Sequence, residues 1–352
     1  MKVRQIIYGA ILSAAILFTV FFGAGKISEK KSYIEEKPYK GVITVWQIDT
    51  FEGGAGSRKN FLLSAARGYE KKENGVLVMV IAHTEESAKA ALINGEAPDA
   101  VSYGTGFAAS NVKKLTLKNS FAGGCIGEEA YAVPWCRGGY VLIENPAIKS
   151  KSFSGGKENG TNNKEFTDLN KELPDLSEET VLVSEGRRTA PTVAAALSGL
   201  KIKEAEGLAA AEAYTKFTEG KTRYLLGTQR DIVRLTRRGF AFKSYPLFGY
   251  NDLYQYISLT SVSPEKSIYA ERFIEYLITE NVQKNLGKIC MFSNYFQAEE
   301  ESDALSQMQK KNASRTLLFF TDERTYEEIR SLSYSAAEGN EKDLNKLKNF
   351  LV

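Results

Sequence analysis

The feature that most constrains the fold is a strand–helix–strand pattern that begins at Gly41. The stretch Gly41–Ile48 (GVITVWQI) is short and β-branched, which predicts a buried strand. Apolar residues at helical spacing follow between Phe61 and Tyr69, and Val76–Ile81 (VLVMVI) predicts a second buried strand. Repeats of this kind with short loops imply a mainly parallel sheet flanked by helices, with ligands at the carboxyl ends of the strands.

Composition excludes several classes of function. The chain has 352 residues and a formal net charge of +3, which argues against a nucleic-acid binder driven by bulk charge. Its single histidine, His83, excludes a catalytic histidine pair and a multi-histidine metal site. The three cysteines, Cys125, Cys136 and Cys290, are too few for a disulfide framework, although Cys125 and Cys136 could pair outside the cell.

The N-terminus has the pattern of an export segment. Lys2 and Arg4 precede the uncharged run Ile6–Gly25, the order of a secretory signal peptide or a signal anchor. The run is long enough to span a bilayer, and the positive-inside rule puts the chain after it outside the cytoplasm. Cleaved and retained forms both remain open. Residues 1–25 are thus a signal peptide or signal anchor, and the charged residues 26–40 are a tether.

A glycine-rich turn, Phe51–Gly56, follows the first predicted strand. It lacks the Gly-Lys-Ser/Thr ending of a P-loop, and no third glycine completes a dinucleotide fingerprint. We interpret it as a tight turn that brings the next helix, capped by Ser57, toward a ligand. Further along, Lys149–Lys164 has the composition of a surface loop, and the alanine-rich Lys201–Gly220 predicts a helix.

The most regular pattern lies near residue 264. Ser263 can cap a helix that has Pro264 at its first position. The apolar stripe of that helix consists of Ala270, Phe273, Ile274, Leu277 and Ile278. This spacing predicts one face packed against a core.

Four stretches in this order resemble a known family, the extracellular solute-binding proteins of ABC importers, family 1, the maltodextrin-binding-like group. They are Gly41–Trp46, Gly95–Tyr103 (GEAPDAVSY), Ala132–Trp135 (AVPW) and Ser261–Pro264 (SVSP) with the helix after it, and together they span most of residues 41–292. The resemblance implies an α/β, two-lobed periplasmic-binding-protein-like fold. Each lobe would be a mainly parallel sheet flanked by helices, preceded by the N-terminal signal or anchor helix.

The resemblance also implies how the lobes are assembled from the chain. Lobe one would consist of residues 41–135 plus 259–289, and lobe two of residues 139–250 plus 294–352. Hinge crossings would lie at residues 136–138, 251–258 and 290–293.

By resemblance the site binds and performs no chemistry, so no catalytic residue, metal or cofactor is implied. The aromatic candidates for contact with a sugar ring are Trp46, Tyr103, Trp135 and Tyr250. The polar candidates are Asp49, Glu52, Arg137, Gln229 and Arg230. Alternative interpretations stay open: the aromatics as core filler, the charges as solvated loop residues, and Arg137 as a latch of the hinge.

The function implied is capture of a small solute, a sugar or oligosaccharide, by hinge closure at the extracellular face of the membrane or, after cleavage, in secreted form. The partners would be ABC permease transmembrane subunits, with the membrane contacted through the N-terminal segment, no nucleic acid, and a monomeric state. One departure from sugar-binding members is the basic stretch that contains Arg230, Arg234, Arg237 and Arg238. Such a stretch suits an acidic ligand.

Two other functions compete with this one. A cell-surface sensory or adhesion module would use the same two-lobed receptor without a permease. An extracellular carbohydrate-active enzyme would need two carboxylates facing each other across a cleft. Because Asp49 and Glu52 share one loop, the sequence does not show such a pair.

Overall fold

The computed structural model describes residues 39–117, 121–148, 173–261, 263–297, 300 and 302–352. The predicted signal or anchor segment, most of the tether and the predicted loop Lys149–Lys164 lie outside these residues. Within them, no helix is both long enough and apolar enough to cross a membrane. The chain divides at Lys40, and Gly41–Val352 forms one compact unit.

The first sheet has the strand order β2–β1–β3–β12–β6. Its strands are β1 (Gly41–Ile48), β2 (Val76–His83), β3 (Ala100–Gly104), β6 (Val133–Arg137) and β12 (Tyr254–Leu259). Strand β1 pairs in parallel with β2 and β3, which confirms the predicted strand–helix–strand units. Strand β12 is antiparallel to both β3 and β6. A small separate hairpin is formed by β4 (Cys125–Ile126) and β5 (Glu129–Ala130).

The second sheet has the strand order β11–β7–β10–β8–β9. Its strands are β7 (Tyr140–Glu144), β8 (Leu176–Glu185), β9 (Ile202–Ala209), β10 (Tyr224–Thr228) and β11 (Lys243–Leu247). Strand β8 runs parallel to β9 and β10, whereas β7 is antiparallel to β10 and β11. Two sheets built from interleaved stretches of one chain make two lobes, here called the first and the second lobe.

Helices cover the sheets. Those of the described residues are α1 (Arg58–Glu70), α2 (Glu85–Ile93), α3 (Pro191–Leu197), α4 (Ala210–Thr218), α5 (Gln229–Arg237), α6 (Pro264–Leu277), α7 (Glu280–Gln283), α8 (Asp303–Lys310), α9 (Glu323–Ala337) and α10 (Glu341–Asn349). Short 3-10 helices lie at Ala122–Gly124 and Leu286–Ile289. The predicted caps Ser57 and Ser263 are confirmed, since each accepts a hydrogen bond from a backbone N–H of the first turn that follows, and Thr84 caps α2 in the same way.

The stripe predicted on α6 forms part of the core of the first lobe. Ala270, Phe273, Ile274 and Leu277 are fully buried. The Phe273 ring meets the Tyr69 ring of α1 edge-on at 5.5 Å, and the Tyr69 hydroxyl donates a hydrogen bond of 2.9 Å to the carbonyl of Tyr269. Helices α1 and α6 are thereby joined by both packing and a hydrogen bond.

One prediction about an element is wrong. Within Lys201–Gly220 the first part is strand β9, and a helix begins only at Ala210. Pairing with β8 supplies hydrogen bonds along the strand, and this outweighs the helix propensity of the alanines. Residues 254–258, which the sequence assigns to a hinge crossing, belong to β12, a buried strand between β3 and β6 in the first sheet.

Three stretches of chain pass between the lobes side by side. Arg137 and Phe292 exchange two backbone hydrogen bonds, of 2.9 and 2.8 Å, and the Gly138 N–H donates to the carbonyl of Leu253 at 2.7 Å. The segments that contain them are joined like strands of a short ribbon. We call the three segments that contain Arg137 and Gly138, Leu253, and Phe292 the crossing segments.

Among the described residues no disulfide forms, so the pairing of Cys125 with Cys136 that the sequence left open is absent.

We expect Phe273→Ala to lower the free energy of unfolding by about 3–5 kcal/mol, because it leaves a cavity in the core of the first lobe. Urea denaturation of the purified protein measures the change. The matched control is Ile268→Ala on the same helix, whose side chain is 53% exposed. The control should change the free energy by less than about 0.5 kcal/mol, and equal losses in both variants would contradict the packing described.

Candidate functional site

A cavity of about 380 Å³ lies between the two lobes. It is lined by Asp49, Thr50, Phe51, Glu52, Gly53, Gly54, Gly56, Arg58, Arg187 and Arg230. The first eight residues follow β1 in the first lobe, whereas Arg187 follows β8 and Arg230 follows β10 in the second lobe. The cavity therefore lies at the carboxyl ends of strands from both sheets, the position where open α/β sheets bind ligands. We call it the inter-lobe cavity.

The glycine-rich segment is a tight turn that leads directly into α1. Its Ala55 N–H donates a hydrogen bond of 3.1 Å to the carbonyl of Ile289. A Cβ atom added at Gly54 would lie 2.2 Å from the same carbonyl oxygen, so only glycine fits there. The turn is thus packed against the chain that follows α7, which holds this wall of the cavity in place.

Arg58, which the sequence analysis did not single out, anchors the same wall. Its guanidinium is buried, with Nε 2.7 Å from Asp49 Oδ1 and Nη1 donating to Gln255 Oε1 at 2.9 Å. Nη2 donates to the carbonyl of Phe51, and the guanidinium lies 4.3 Å from the centre of the Phe51 ring. All the charge-bearing groups of Arg58 are therefore engaged. Its position in the first turn of α1, directly after the glycines, was the signal available in the sequence.

Three of the predicted polar residues meet at the cavity. Asp49 and Glu52 line it from the first lobe, and Arg230 lines it from the second. Glu52 forms an ion pair with Arg230 across the gap between the lobes. Burial and the neighbouring Arg234 lower the pKa of Arg230. A partly desolvated guanidinium beside a second cation favours an anionic partner.

The four predicted aromatic residues, Trp46, Tyr103, Trp135 and Tyr250, are buried and lie away from the described lining of the cavity. The Trp135 indole donates to Ser102 Oγ at 2.9 Å and stacks on Phe61, and the Tyr103 hydroxyl lies 2.9 Å from Ser258 Oγ. Their positions on buried strands place Trp46, Tyr103 and Trp135 in the core of the first lobe, whereas Tyr250 lies between β11 and β12 and stacks on Tyr140 at 6.4 Å. This placement favours the alternative interpretation, core filler.

Arg137 and Gln229 also lie outside the cavity lining and hold the crossing segments. The buried Arg137 guanidinium donates to the carbonyls of Met308 and Gln309, the shortest bond being 2.9 Å, and burial lowers its pKa. Gln229 Oε1 accepts the Gly139 N–H at 3.0 Å. These contacts favour the interpretation of Arg137 as a hinge latch, and they give Gln229 a similar structural role.

A cluster of charged residues next to the cavity joins the lobes and was missed by the sequence analysis. Arg188, which precedes α3, is buried with Nη2 3.0 Å from Glu85 Oε2 of α2 and 2.9 Å from Glu323 Oε1 of α9. Arg187 pairs with Glu86 at 2.6 Å. We call these residues the inter-lobe ion-pair cluster. Two sequence features could have suggested the cluster: two arginines directly after one strand, and two glutamates at the start of a helix.

A buried carboxylate in a crossing segment ties both lobes to the hinge. Asp252 accepts hydrogen bonds from the hydroxyls of Tyr140, at 2.5 Å, and Tyr326, at 2.8 Å. Its backbone carbonyl accepts from Thr105 Oγ1 of the first lobe at 3.0 Å. Burial raises the pKa of Asp252 to about 6 even though the tyrosine hydroxyls favour the ionised form.

Structural similarity links this chain to known proteins. No family model and no curated protein matches the chain. Among solved structures, the sugar-binding protein MalE from Xanthomonas citri matches with a TM-score of 0.58 and 11% identity over 88% of this chain and 96% of its own. Apo RafE from Streptococcus pneumoniae matches with a TM-score of 0.56 and 13% identity, over 90% and 98%. The fold is that of the two-lobed solute-binding proteins.

Neighbours of this fold bind different ligands. Iron-bound HitA from Pseudomonas aeruginosa also matches, with a TM-score of 0.51 and 15% identity over 86% of this chain and 99% of its own. Among the residues that the structure describes, no group of three or more His, Cys, Asp or Glu side chains could hold a metal ion. Likeness to these structures therefore shows the fold of the chain and leaves the class of ligand to the cavity itself.

We expect Arg188→Gln to lower the free energy of unfolding by about 3 kcal/mol, because it removes one partner of a buried ion pair. Arg187→Gln is the matched control: its side chain is half-exposed, so its loss should cost less than about 1 kcal/mol. Urea denaturation gives both values, and small-angle scattering should show a larger radius of gyration for the first variant. Similar stability of the two variants would refute this role of the cluster.

The buried Asp252 should make stability depend on pH. Because its pKa is about 6 in the folded protein and near 3.8 ordinarily, the folded state binds more protons than the unfolded state between these values. The contribution of the Asp252 carboxyl to the free energy of unfolding is therefore fully present below pH 4 and is lost as the pH rises through 6. The free energy of unfolding of the wild type, relative to Asp252→Asn, should fall by about 3 kcal/mol from pH 4 to pH 7. Parallel pH profiles would contradict this.

Proposed function

We propose that this chain is the extracellular substrate-binding component of an ABC importer, which captures a small solute in the inter-lobe cavity. The observation that carries the proposal is the cavity itself, lined by loops at the strand ends of both lobes in a two-lobed solute-binding fold. The N-terminal pattern of basic residues followed by an apolar run supports export, with tethering to the membrane if the segment is retained. The permease subunits would be the partners that read the closed form.

Closure would act by a shift of populations. A solute that contacts residues of both lobes binds the closed arrangement better than an open one, so it moves the equilibrium toward closure. The crossing segments carry the chain from one sheet to the other. The lobes and hinge crossings predicted from the sequence are proposed here with residues 254–258 placed in the first lobe, as part of β12. Glu52 and Arg230, one from each lobe, are the residues we propose as first contacts of the solute.

The arrangement favours binding over hydrolysis. Asp49 and Glu52 both belong to the wall that follows β1, and each is ion-paired with an arginine. A glycosidase needs two carboxyl groups that flank the scissile bond, one of them able to donate a proton. Paired carboxylates on one wall do not supply that geometry, which supports a binding protein.

The test is a binding screen on the purified protein by thermal shift and calorimetry, with mono- and oligosaccharides, amino acids, polyamines and organic acids. One class should raise the melting temperature, with a stabilisation of about 2.7 kcal/mol at a hundred times the dissociation constant. The solute should be recovered unchanged. Failure of every class, or the appearance of product, would overturn the proposal.

A matched pair of variants assigns the site. Arg230→Gln removes the cation that lines the cavity, whereas Arg234→Gln removes a cation of the same helix that stacks on Tyr214 at 4.2 Å. We expect the first to weaken binding of the solute at least about ten-fold and the second to leave it within about two-fold. Equal effects would place the solute elsewhere.

A further inference from the structure

The lining of the inter-lobe cavity is charged and offers little aromatic surface. Arg58, Arg187 and Arg230 face Asp49 and Glu52, so the lining carries one more cation than anions. Within the described lining the aromatic residue is Phe51, which is buried beneath the Arg58 guanidinium. Binding of neutral sugar rings relies on exposed aromatic faces. The cavity therefore favours a charged solute over a neutral saccharide.

The two arginines of the second lobe differ from Arg58. Arg58 is buried and holds three partners of its own lobe, whereas the Arg187 and Arg230 side chains are 54% and 33% exposed. Each of the two pairs with an exposed glutamate of the first lobe, Arg187 with Glu86 and Arg230 with Glu52, and Arg187 Nε also lies 3.3 Å from Oε1 of the buried Glu85. Those glutamates are 69% and 52% exposed. Exposed pairs of this kind contribute little free energy, so another anion can replace the glutamate.

We propose that the solute carries a carboxylate, which binds Arg230 and Arg187 in place of Glu52 and Glu86. This rests on the proposed function, because it names the class of solute that the receptor takes. Guanidinium groups bind carboxylates through paired, charge-assisted hydrogen bonds, and the present partners of both arginines are carboxylates. A volume of about 380 Å³ suits a small solute.

If the solute carboxylate takes the place of Glu52, two variants should change the affinity for the solute in opposite directions. Glu52 competes with the solute for Arg230, so Glu52→Gln should bind the acid several-fold more tightly than the wild type. Arg230→Gln removes the cation and should bind it at least about ten-fold more weakly. A structural role alone would make both variants weaker. Glu212→Gln, a half-exposed glutamate of α4 that pairs with Lys216, is the matched control and should leave affinity unchanged.

The experiment is calorimetry of the full-length chain in non-ionic detergent with matched probes. Glucuronate and galacturonate are compared with glucose and galactose, which lack only the carboxylate, and succinate, citrate and inorganic phosphate complete the set. We expect at least one carboxylate probe to bind, its affinity to fall with added salt, and any neutral counterpart to bind at least about ten-fold more weakly. Comparing the affinities for the two uronates with those for succinate and citrate shows whether the solute is a sugar acid or a simple organic acid.

Each other outcome overturns the proposal. Neutral sugars that bind as tightly as the corresponding acids would refute the claim that the solute binds through a carboxylate. Binding of phosphate alone, or tighter binding by Arg230→Gln, would refute it too. All three outcomes would leave the receptor function intact. If no probe here and no solute of the wider screen bound, the receptor function itself would fail together with this inference.

Discussion

Three stretches of chain cross between the lobes side by side, and the hydrogen bonds among them set how the two sheets face each other. Arg137 and Phe292 exchange backbone hydrogen bonds, and Gly138 is bonded to Leu253. The buried Arg137 guanidinium adds contacts to the carbonyls near Met308. Because the strands of both sheets end toward this junction, the cavity lies beside it, and every contact across the cavity depends on this geometry.

Charged residues near the junction form two kinds of ion pair, which differ in how exposed their side chains are. The pair of Arg188 with Glu85 is buried, so removing either partner leaves an uncompensated charge in a region of low dielectric. The pair of Arg230 with Glu52 is half-exposed, so water screens it and exchange with a solute costs little. One set of ion pairs can thus join the lobes while the other remains open to a ligand.

Local patterns predicted much of the fold. The parallel strands that follow Gly41 were visible because buried strands of parallel sheets are continuous apolar runs, and α6 was visible from its cap and stripe. Strand β9 was missed because its stability comes from pairing with β8, which no local propensity reveals. Of the residues that line the inter-lobe cavity, Asp49, Glu52 and Arg230 were among those predicted, since all three follow strand ends.

The sequence by itself determined the α/β class, the strand–helix–strand units that begin at Gly41, and the charged loops at strand ends, because periodicity, caps and turn residues act over a few residues. Only the tertiary structure decided that Trp135 and Tyr103 face the core, and that Arg188 meets Glu85, 103 positions earlier. Those outcomes depend on which strands become neighbours in each sheet and on how the sheets face across the junction. Such long-range juxtaposition is created by folding and leaves no trace in local spacing.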